Sequence, residues 1–376
     1  MSAVLSAQRN RQSDYCDFVR VTSVMKILIT GICGFVGSTL AKEFLARGLT
    51  VTGMDNLSRP GSELNRKTLQ NAGAVVIHGD IRSASDLETL PDVDWVIDAA
   101  ANPSVLAGVD GKTSSRQLVE HNLLGTINLL EYCKARKSGL ILLSTSRVYS
   151  IKALSELKVE ANESAFRPVS VDQRITGFTS RGISEEFSTS PPISLYGTTK
   201  LASEQLALEY GMSYRFPVRI NRCGVMAGAG QFGRGDQGIF SFWINSWLRK
   251  QPLKYIGFGG SGFQVRDGLH PRDLLPLLEK QMAADAFAVA PIVNIGGGID
   301  NSMSLAQLSS WCQERFGHHE VYEDHAARPF DIPWLVMDSA LAKQIWDWQP
   351  QTTLTEILEE IAAHAVQHPE WLHLSS

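Results

Sequence analysis

One junction constrains this chain more than any other feature: the apolar run Lys26-Ile27-Leu28-Ile29-Thr30 passes without a break into Gly31-Ile32-Cys33-Gly34-Phe35-Val36-Gly37. A G-x-x-G-x-x-G turn between a strand and a helix allows a tight reversal and close helix-to-strand packing. It also leaves the first N–H groups of the helix aimed at whatever anion approaches. Such a junction opens a β-α-β unit, and the following residues keep its rhythm. The spacing of apolar residues predicts strand 26–30, helix about 35–47, strands 50–54, 74–77 and 94–98, helix about 114–136 and strand 139–143. Lys26-Ile27-Leu28-Ile29 and Leu140-Ile141-Leu142-Leu143 are continuous rather than alternating, as strands covered by helices on both faces should be.

The expected fold class is therefore α/β, a doubly wound parallel sheet of the Rossmann type with a smaller C-terminal substrate domain. Residues 1–24 precede the first strand, are polar and mixed in charge, and read as an N-terminal tail. Residues 25–222 form the expected dinucleotide-binding domain. Within it, the stretch Ser150 to Ile193 loses the apolar pattern and is too long for an idle connection, so it reads as a lid or a substrate loop. A helix resumes from about Tyr196 to Tyr210, with Gly211 as its expected stop. After Arg222 glycine and aromatic residues crowd together, and residues 223–376 are read as mainly the substrate domain, with some elements returning to the sheet.

Composition removes several function classes. With 35 Lys plus Arg against 39 Asp plus Glu, the net charge is −4 and no block of like charge exists, so a nucleic-acid partner is not expected. Five cysteines lie far apart with no C-x-x-C pair, which excludes a zinc knuckle or disulfide framework and suits a reducing cytoplasm; no metal is expected. No apolar run approaches the ~20 residues that span a bilayer, and residues 1–24 lack a signal-peptide core. A cytoplasmic protein without a membrane partner is the expectation.

The chemistry is concentrated at strand ends. Asp55 closes the second strand at roughly the 20-residue offset where an acid meets the adenosine ribose hydroxyls, and its charge repels a 2′-phosphate. NAD is thus preferred to NADP, with Arg59 as the one nearby cation against it. Asp80-Ile81, after the third strand, are placed to border the adenine. Ser144-Thr145-Ser146 follows strand 139–143 at the edge where open α/β sheets bind ligands, and Thr145 can hold a sugar oxygen. Tyr196 and Lys200 are four residues apart, on one helix face. A cation beside a phenol favours the phenolate, so the pair can supply a general base.

Taken together, these residues resemble the extended short-chain dehydrogenase/reductase family, over nearly all of Met25 to Trp348. The family segments are Asp55-Asn56-Leu57-Ser58-Arg59, Ser144-Thr145-Ser146-Arg147-Val148-Tyr149 and Tyr196-Gly197-Thr198-Thr199-Lys200. Gln231-Phe232, Asp236-Gln237-Gly238, Gln264 to His270 and Asn294-Ile295-Gly296-Gly297 resemble the branch of CDP-paratose 2-epimerases. The resemblance implies an NAD-dependent nucleotide-sugar epimerase, an isomerase that oxidises a sugar carbon transiently and returns hydride to the other face. It implies Tyr196 as base, Lys200 on the nicotinamide ribose and Thr145 on the reacting oxygen. Cofactor contacts are implied at Gly31, Gly34, Phe35, Gly37, Asp55, Asn56, Asp80, Ile81 and Ala99, and substrate contacts at Asn122, Gln231, Phe232, Gln237 and Arg266. Arg266 matches the arginine that grips the nucleotide diphosphate. A homodimer or homotetramer is implied, with Leu118, Leu129, Leu130, Leu206 and Leu208 as candidates for its helical face.

Some positions depart from the family pattern. Asp98-Ala99-Ala100-Ala101-Asn102 replaces the usual His-containing segment, Leu195 replaces a proline, and Arg328-Pro329-Phe330-Asp331 lacks a following Gln-Arg. Related dehydratases carry an Asp-Glu pair after the strand-end threonine; here Ser146-Arg147 stand there, which disfavours dehydration. A nucleotide-sugar 4-epimerase or a keto-sugar reductase uses the same Thr, Tyr and Lys, and a non-catalytic dinucleotide sensor would keep only the fold.

Overall fold

The computed structural model describes residues 24–109, 111, 114–169, 175–284 and 292–375. The expected tail, apart from Val24, lies outside the described residues, as does part of the expected loop at 170–174. The first strands are β1 (Lys26–Thr30), β2 (Thr50–Asp55), β3 (Val75–His78), β4 (Trp95–Asp98) and β5 (Gly139–Thr145). With strands Val218–Cys223 and Ile292–Ile295 they form a seven-stranded sheet. Its order runs Ile292–Ile295, Val218–Cys223, β5, β4, β1, β2, β3, and every pairing is parallel. The order reverses between β1 and β4, so the loops after these two strands diverge and open a crevice at their carboxyl ends.

Successive side chains of a strand point to opposite faces, which explains the continuous apolar runs. Ile27, Ile29, Ile141 and Leu143 enter one core with Leu40 and Phe44 of helix α1 (Phe35–Ala46) and with helix Leu275–Ala283. Leu28, Leu140 and Leu142 enter the other core with Leu129, Leu130 and Cys133 of helix Gly125–Arg136. Leu118, Leu129 and Leu130 are fully buried inside the chain, so they are core residues and not part of a subunit face. Leu206 and Leu208 are only partly buried. Helix Ser62–Asn71, between β2 and β3, was not expected from the pattern because only Ser62 and Leu69 of its residues are buried.

The segment after β5 is folded rather than idle. It contains helix Ile151–Ser155 and the hairpins Val159–Asn162 with Ala165–Pro168 and Phe178–Thr179 with Gly182–Ile183. Val148, Tyr149, Leu154, Phe178 and Phe187 share a core with Ile332 and Trp334 to Met337, which binds it to the chain's last third. Strand Val265–Leu269 pairs in a second small sheet with Val225–Met226, Ser302–Ser304 and Trp334–Leu335.

Gly211 does not stop the long helix, which runs from Ser194 to Tyr214 and ends at Arg215, in the left-handed conformation at φ 57°. Gly211 is instead a contact point: a Cβ there would lie 2.7 Å from the Val218 side chain. The helix is also pinned by a buried ion pair. Arg222 Nη2 lies 2.7 Å from Glu204 Oε2, and Glu204 Oε1 accepts from Ser144 at 2.5 Å. Removing one partner of such a pair leaves a buried uncompensated charge. Glu204→Ala is therefore expected to lower stability by about 3–5 kcal/mol, read as a lower urea midpoint at unchanged slope. A loss under about 1 kcal/mol would mean that the pair does not hold the helix to the sheet.

Candidate active site

The crevice between β1 and β4 is lined first by the glycine turn. Gly31 takes φ +64°, its N–H donates to the Met54 carbonyl at 2.9 Å, and Gly34 N–H donates back to Gly31 O at 3.0 Å. A Cβ on Gly37 would meet Gly31 O at 2.3 Å, so α1 sits on the turn at a distance only glycine permits. No side chain caps this helix, whose N-cap is Gly34, and its first N–H groups face the crevice. Glycine cradle, uncapped N–H groups and Phe35 at the helix start fit a dinucleotide pyrophosphate.

Asp55 turns back over the same loop. Its carboxylate accepts from Cys33 N at 2.8 Å and from Leu57 N at 2.8 Å. Burial pushes its pKa up, opposed by the backbone N–H groups of Leu57, Cys33 and Gly34. Asn56 Nδ2 donates to Asp80 Oδ2 at 3.0 Å, and the Arg82 guanidinium, bonded to Asp80 at 2.6 Å, holds that carboxyl below the usual range. Ile81 packs beside Gly125, and its carbonyl accepts from Asn128 at 2.8 Å. Arg59 is occupied elsewhere: it donates to Gln237 Oε1 at 2.7 Å and to the Phe232 carbonyl.

The far wall is built by β4 and β5. Asp98 is buried and accepts from Thr30 Oγ1 at 2.6 Å, which tethers β4 to β1 and leaves the Ala99 backbone against Gly31. Asn122, 2% exposed, is no surface amide. It sits in a π-helical turn, Glu120–Leu124, accepts from Asn102 N at 2.8 Å, and donates to Asn102 O at 3.1 Å and to Thr199 Oγ1 at 3.2 Å. That bridge ties the loop after β4 to the helix of Tyr196 and Lys200. Single π turns are frequent at functional sites because they re-aim one side chain.

Thr145 ends β5, accepts from Arg147 N at 3.2 Å and lies beside the buried Tyr196 phenol, whose pKa it pulls down. Burial pushes the Tyr196 phenol up to about 12, against the pull of Thr145 and of the Arg147 guanidinium. Lys200, one turn further along, is 2% exposed.

Arg266 reaches the cleft from strand Val265–Leu269. It donates to the carbonyls of Val265 at 2.7 Å and Ile332 at 2.9 Å and lies 3.6 Å from Asp331. Its pKa is lowered to about 9 by burial and by the guanidinium of Arg147, with Arg328 adding to the effect. Gln231, Phe232 and Gln237 stand at the mouth on the loop before helix Ile239–Leu248. Phe232 stacks on Trp371 with ring centroids 4.9 Å apart, the Gln231 side chain donates to Met226 O at 2.7 Å, and Gln237 holds Arg59. Arg147, Arg328 and Thr199 have long-range partners that the motifs did not reveal, the Phe330 carbonyl, the Gly235 carbonyl and Asn122, because those partners lie far away in sequence.

Residues 27–296 match the NAD dependent epimerase/dehydratase family. The chain belongs to that family. It is 30% identical over 351 residues to CDP-paratose 2-epimerase of Salmonella typhi, covering 90% of this chain and 98% of the relative. It is 26% identical to UDP-glucuronate 4-epimerase of Thermodesulfobacterium geofontis, over 88% of this chain and 93% of that protein. Among solved structures, UDP-glucuronic acid 4-epimerase from Bacillus cereus, in complex with UDP-glucuronic acid and NAD, superposes with a TM-score of 0.74 at 27% identity. That match covers 91% of this chain and 99% of the other. The chain is thus an NAD-dependent enzyme of the nucleotide-sugar epimerase kind, an isomerase. Among the described residues no helix is long and apolar enough to cross a membrane.

Asp267, next to Arg266, gives the site region a measurable pH response. It is buried, accepts from Gly298 N at 3.2 Å and Met337 N at 3.4 Å, and burial raises its pKa from 3.8 to about 6. The native state then holds a proton that the unfolded chain has released, so stability falls as pH rises from about 4 to about 6. Unfolding free energies of wild type and Asp267→Asn, compared across that window, should show a difference that declines with pH. A difference constant with pH would refute the assignment.

Proposed function

We propose that the enzyme epimerises a nucleotide-diphosphate sugar in the manner of CDP-paratose 2-epimerase. The observation that carries this is the grouping of Thr145 at the end of β5 with the buried Tyr196 and, one turn on, the buried Lys200, in a chain related along its length to that enzyme. In this proposal the helix N-terminus at Gly31, Gly34, Phe35 and Gly37 holds the NAD pyrophosphate. Asp55 and Asn56 take the adenosine ribose, Asp80, Ile81 and Ala99 border the cofactor, and Lys200 takes the nicotinamide ribose. NAD supplies the hydride acceptor and donor. Tyr196 Oη removes the proton of the sugar hydroxyl, and Thr145 holds the oxygen as it becomes a carbonyl. Once the keto sugar has turned over, Tyr196 returns the proton to the alkoxide on the new face. Asn122 positions this helix through Thr199, Arg266 binds the diphosphate, and Gln231, Phe232 and Gln237 close the substrate end.

The similarity to UDP-glucuronate 4-epimerases supports a second reading, oxidation at C4 of a different nucleotide sugar. Incubation with CDP-paratose, followed through the sugar proton couplings by NMR, separates them. Inversion at C2, without added NAD if the cofactor is retained, is the expected result, and Tyr196→Phe should lower the rate at least ~10³-fold. No inversion by NAD-loaded protein, with turnover of a UDP sugar at C4, would replace the first reading by the second.

For assembly we propose a homodimer or homotetramer through the helices Ser115–Val119, Gly125–Arg136 and Ser194–Tyr214. Val119, Leu124, Met212 and Tyr214 are exposed apolar residues on these three helices and on the π turn Glu120–Leu124 that joins the first two, a stretch that runs beside Ser194–Tyr214 from the Asn122–Thr199 bond to the Glu131–Tyr210 bond. Sedimentation is expected to give a multiple of 41.3 kDa; a single monomeric species at micromolar concentration would contradict it. Four buried free thiols, at Cys33, Cys133, Cys223 and Cys312, support the cytoplasm as its location.

A further inference from the structure

The segment from Gly228 to Gly238 is tied to both banks of the crevice. On the bank after β2, the Arg59 guanidinium donates to Gln237 Oε1 at 2.7 Å and to the Phe232 carbonyl. The Phe232 ring lies against Gly61, where a Cβ would meet it at 2.5 Å. On the bank after β4, Ser104 Oγ donates to Asp236 Oδ2 at 2.5 Å. In the sheet β1 lies between β4 and β2, so a segment bonded to the loops after both spans the carboxyl end of β1. That is where the glycine turn and the start of α1 stand, and a Cβ on Gly228 would come within 3.1 Å of the Phe35 ring.

The segment keeps its own shape. Arg234 N donates to Gln237 O at 2.6 Å and Gln237 N returns to Arg234 O at 3.1 Å, closing a turn with Gly235 and Asp236 at its tip. Trp371 backs the same segment, stacked on Phe232 at 4.9 Å and donating its indole N–H to the Gln231 carbonyl at 3.0 Å. A turn shaped by its own backbone moves as a unit, so the contacts of Arg59 and Asp236 hold it down rather than give it form. Each of the two carries a formal charge, which makes them the stronger kind of hydrogen bond. Arg59 stands four residues past Asp55, on the cofactor's side of the crevice, and its guanidinium is engaged by the segment.

We propose that residues 231–238 are a strap across the dinucleotide crevice, latched on one bank by Arg59 and on the other by the Ser104–Asp236 bond, so that NAD enters or leaves only when both latches open. The proposal rests on the reading that the glycine turn holds NAD. Arg59, Ser104 and Asp236 are positioning residues in it. Both latches join protein to protein, so weakening them lowers one barrier for entry and exit alike and leaves the affinity unchanged. A residue that touched the cofactor would change the affinity instead. Trapping of this kind suits a reaction that takes hydride from a sugar and returns it to the same sugar, because the reduced cofactor has to stay between the two steps.

The test loads wild type, Arg59→Ala, Ser104→Ala, Asp236→Ala and Asp236→Asn with radiolabelled NAD and chases the label with excess unlabelled NAD; no sugar is needed. Equilibrium dialysis of the same proteins gives Kd, and the release rate divided by Kd gives the entry rate. Each alanine variant should release NAD about tenfold faster with Kd within about twofold of wild type, so that entry quickens as well. Arg59→Ala combined with Ser104→Ala should multiply to about a hundredfold, as separate contacts do. Asp236→Asn, which can still accept from Ser104, should stay near the wild-type rate. Ser104→Ala deletes a single hydroxyl and keeps the test decisive if Arg59→Ala does not fold. Unchanged release in Ser104→Ala overturns the strap, and so does faster release with Kd raised by the same factor, which would make the altered residues cofactor contacts. If no nucleotide sugar is epimerised at all, the proposed function fails on turnover while NAD release still decides the strap.

Discussion

The structure depends on one constraint: a parallel sheet covered by helices on both faces leaves only the line of its strand ends open to a ligand. Apolar side chains alternate into two separate cores, so neither face can host polar chemistry. Gly31 after β1, Asp55 at the end of β2, Ala99 after β4 and Thr145 at the end of β5 are therefore brought to one edge by the parallel pairing itself. The reversal of strand order between β1 and β4 then decides where along that edge the crevice lies. Glycine at position 37 completes it, because any larger residue would push α1 off the turn and move its N–H groups out of the crevice.

Holding the reactive helix to this edge is a separate task, done by buried polar contacts. Glu204 reaches Ser144, the residue before Thr145, and Arg222 of the neighbouring strand. From the other side Asn122 spans Asn102 and Thr199. The helix that carries the tyrosine is thus fixed between β5 and the loop after β4 by hydrogen bonds of Glu204 and Thr199. Such fully satisfied buried networks are rigid, because breaking any member leaves an unpaired polar group away from water.

Most of the fold was legible in the sequence, and the reasons are local. The apolar runs of β1 and β5 and the glycine turn encode their own environment, since each residue's burial follows from its period and its neighbours. What was not legible concerns tertiary partners. Gly211 carries the ordinary signature of a helix end, but strand Val218–Cys223 passes so close that a glycine is needed inside the helix. Leu118, Leu129 and Leu130 have the same periodicity whether a helix packs on its own sheet or on a second subunit; the chain's second core takes all but Leu118, which packs beside Tyr196. Ser150 to Ile193 read as a loop because its hairpins are short and bury their residues against positions 332–337, far along the chain. Within the site, the tyrosine, lysine and threonine were readable as a spaced motif. Arg147 was visible only as the absence of an acid.

The electrostatics of the cleft set the terms for any chemistry there. Burial drives the Tyr196 phenol away from ionisation, while burial and the Arg147 and Arg328 guanidiniums drive Arg266 toward losing its proton, with Asp331 opposing them. Under the proposed function, a nucleotide diphosphate at Arg266 would bring negative charge to these guanidiniums and offset their mutual repulsion. It would also exclude water from around Tyr196 and strengthen the attraction between a developing phenolate and nearby cations. On that proposal, binding of the nucleotide end and readiness of the base at the sugar end would be coupled through charge, and a sugar without its diphosphate would meet cations that still repel one another.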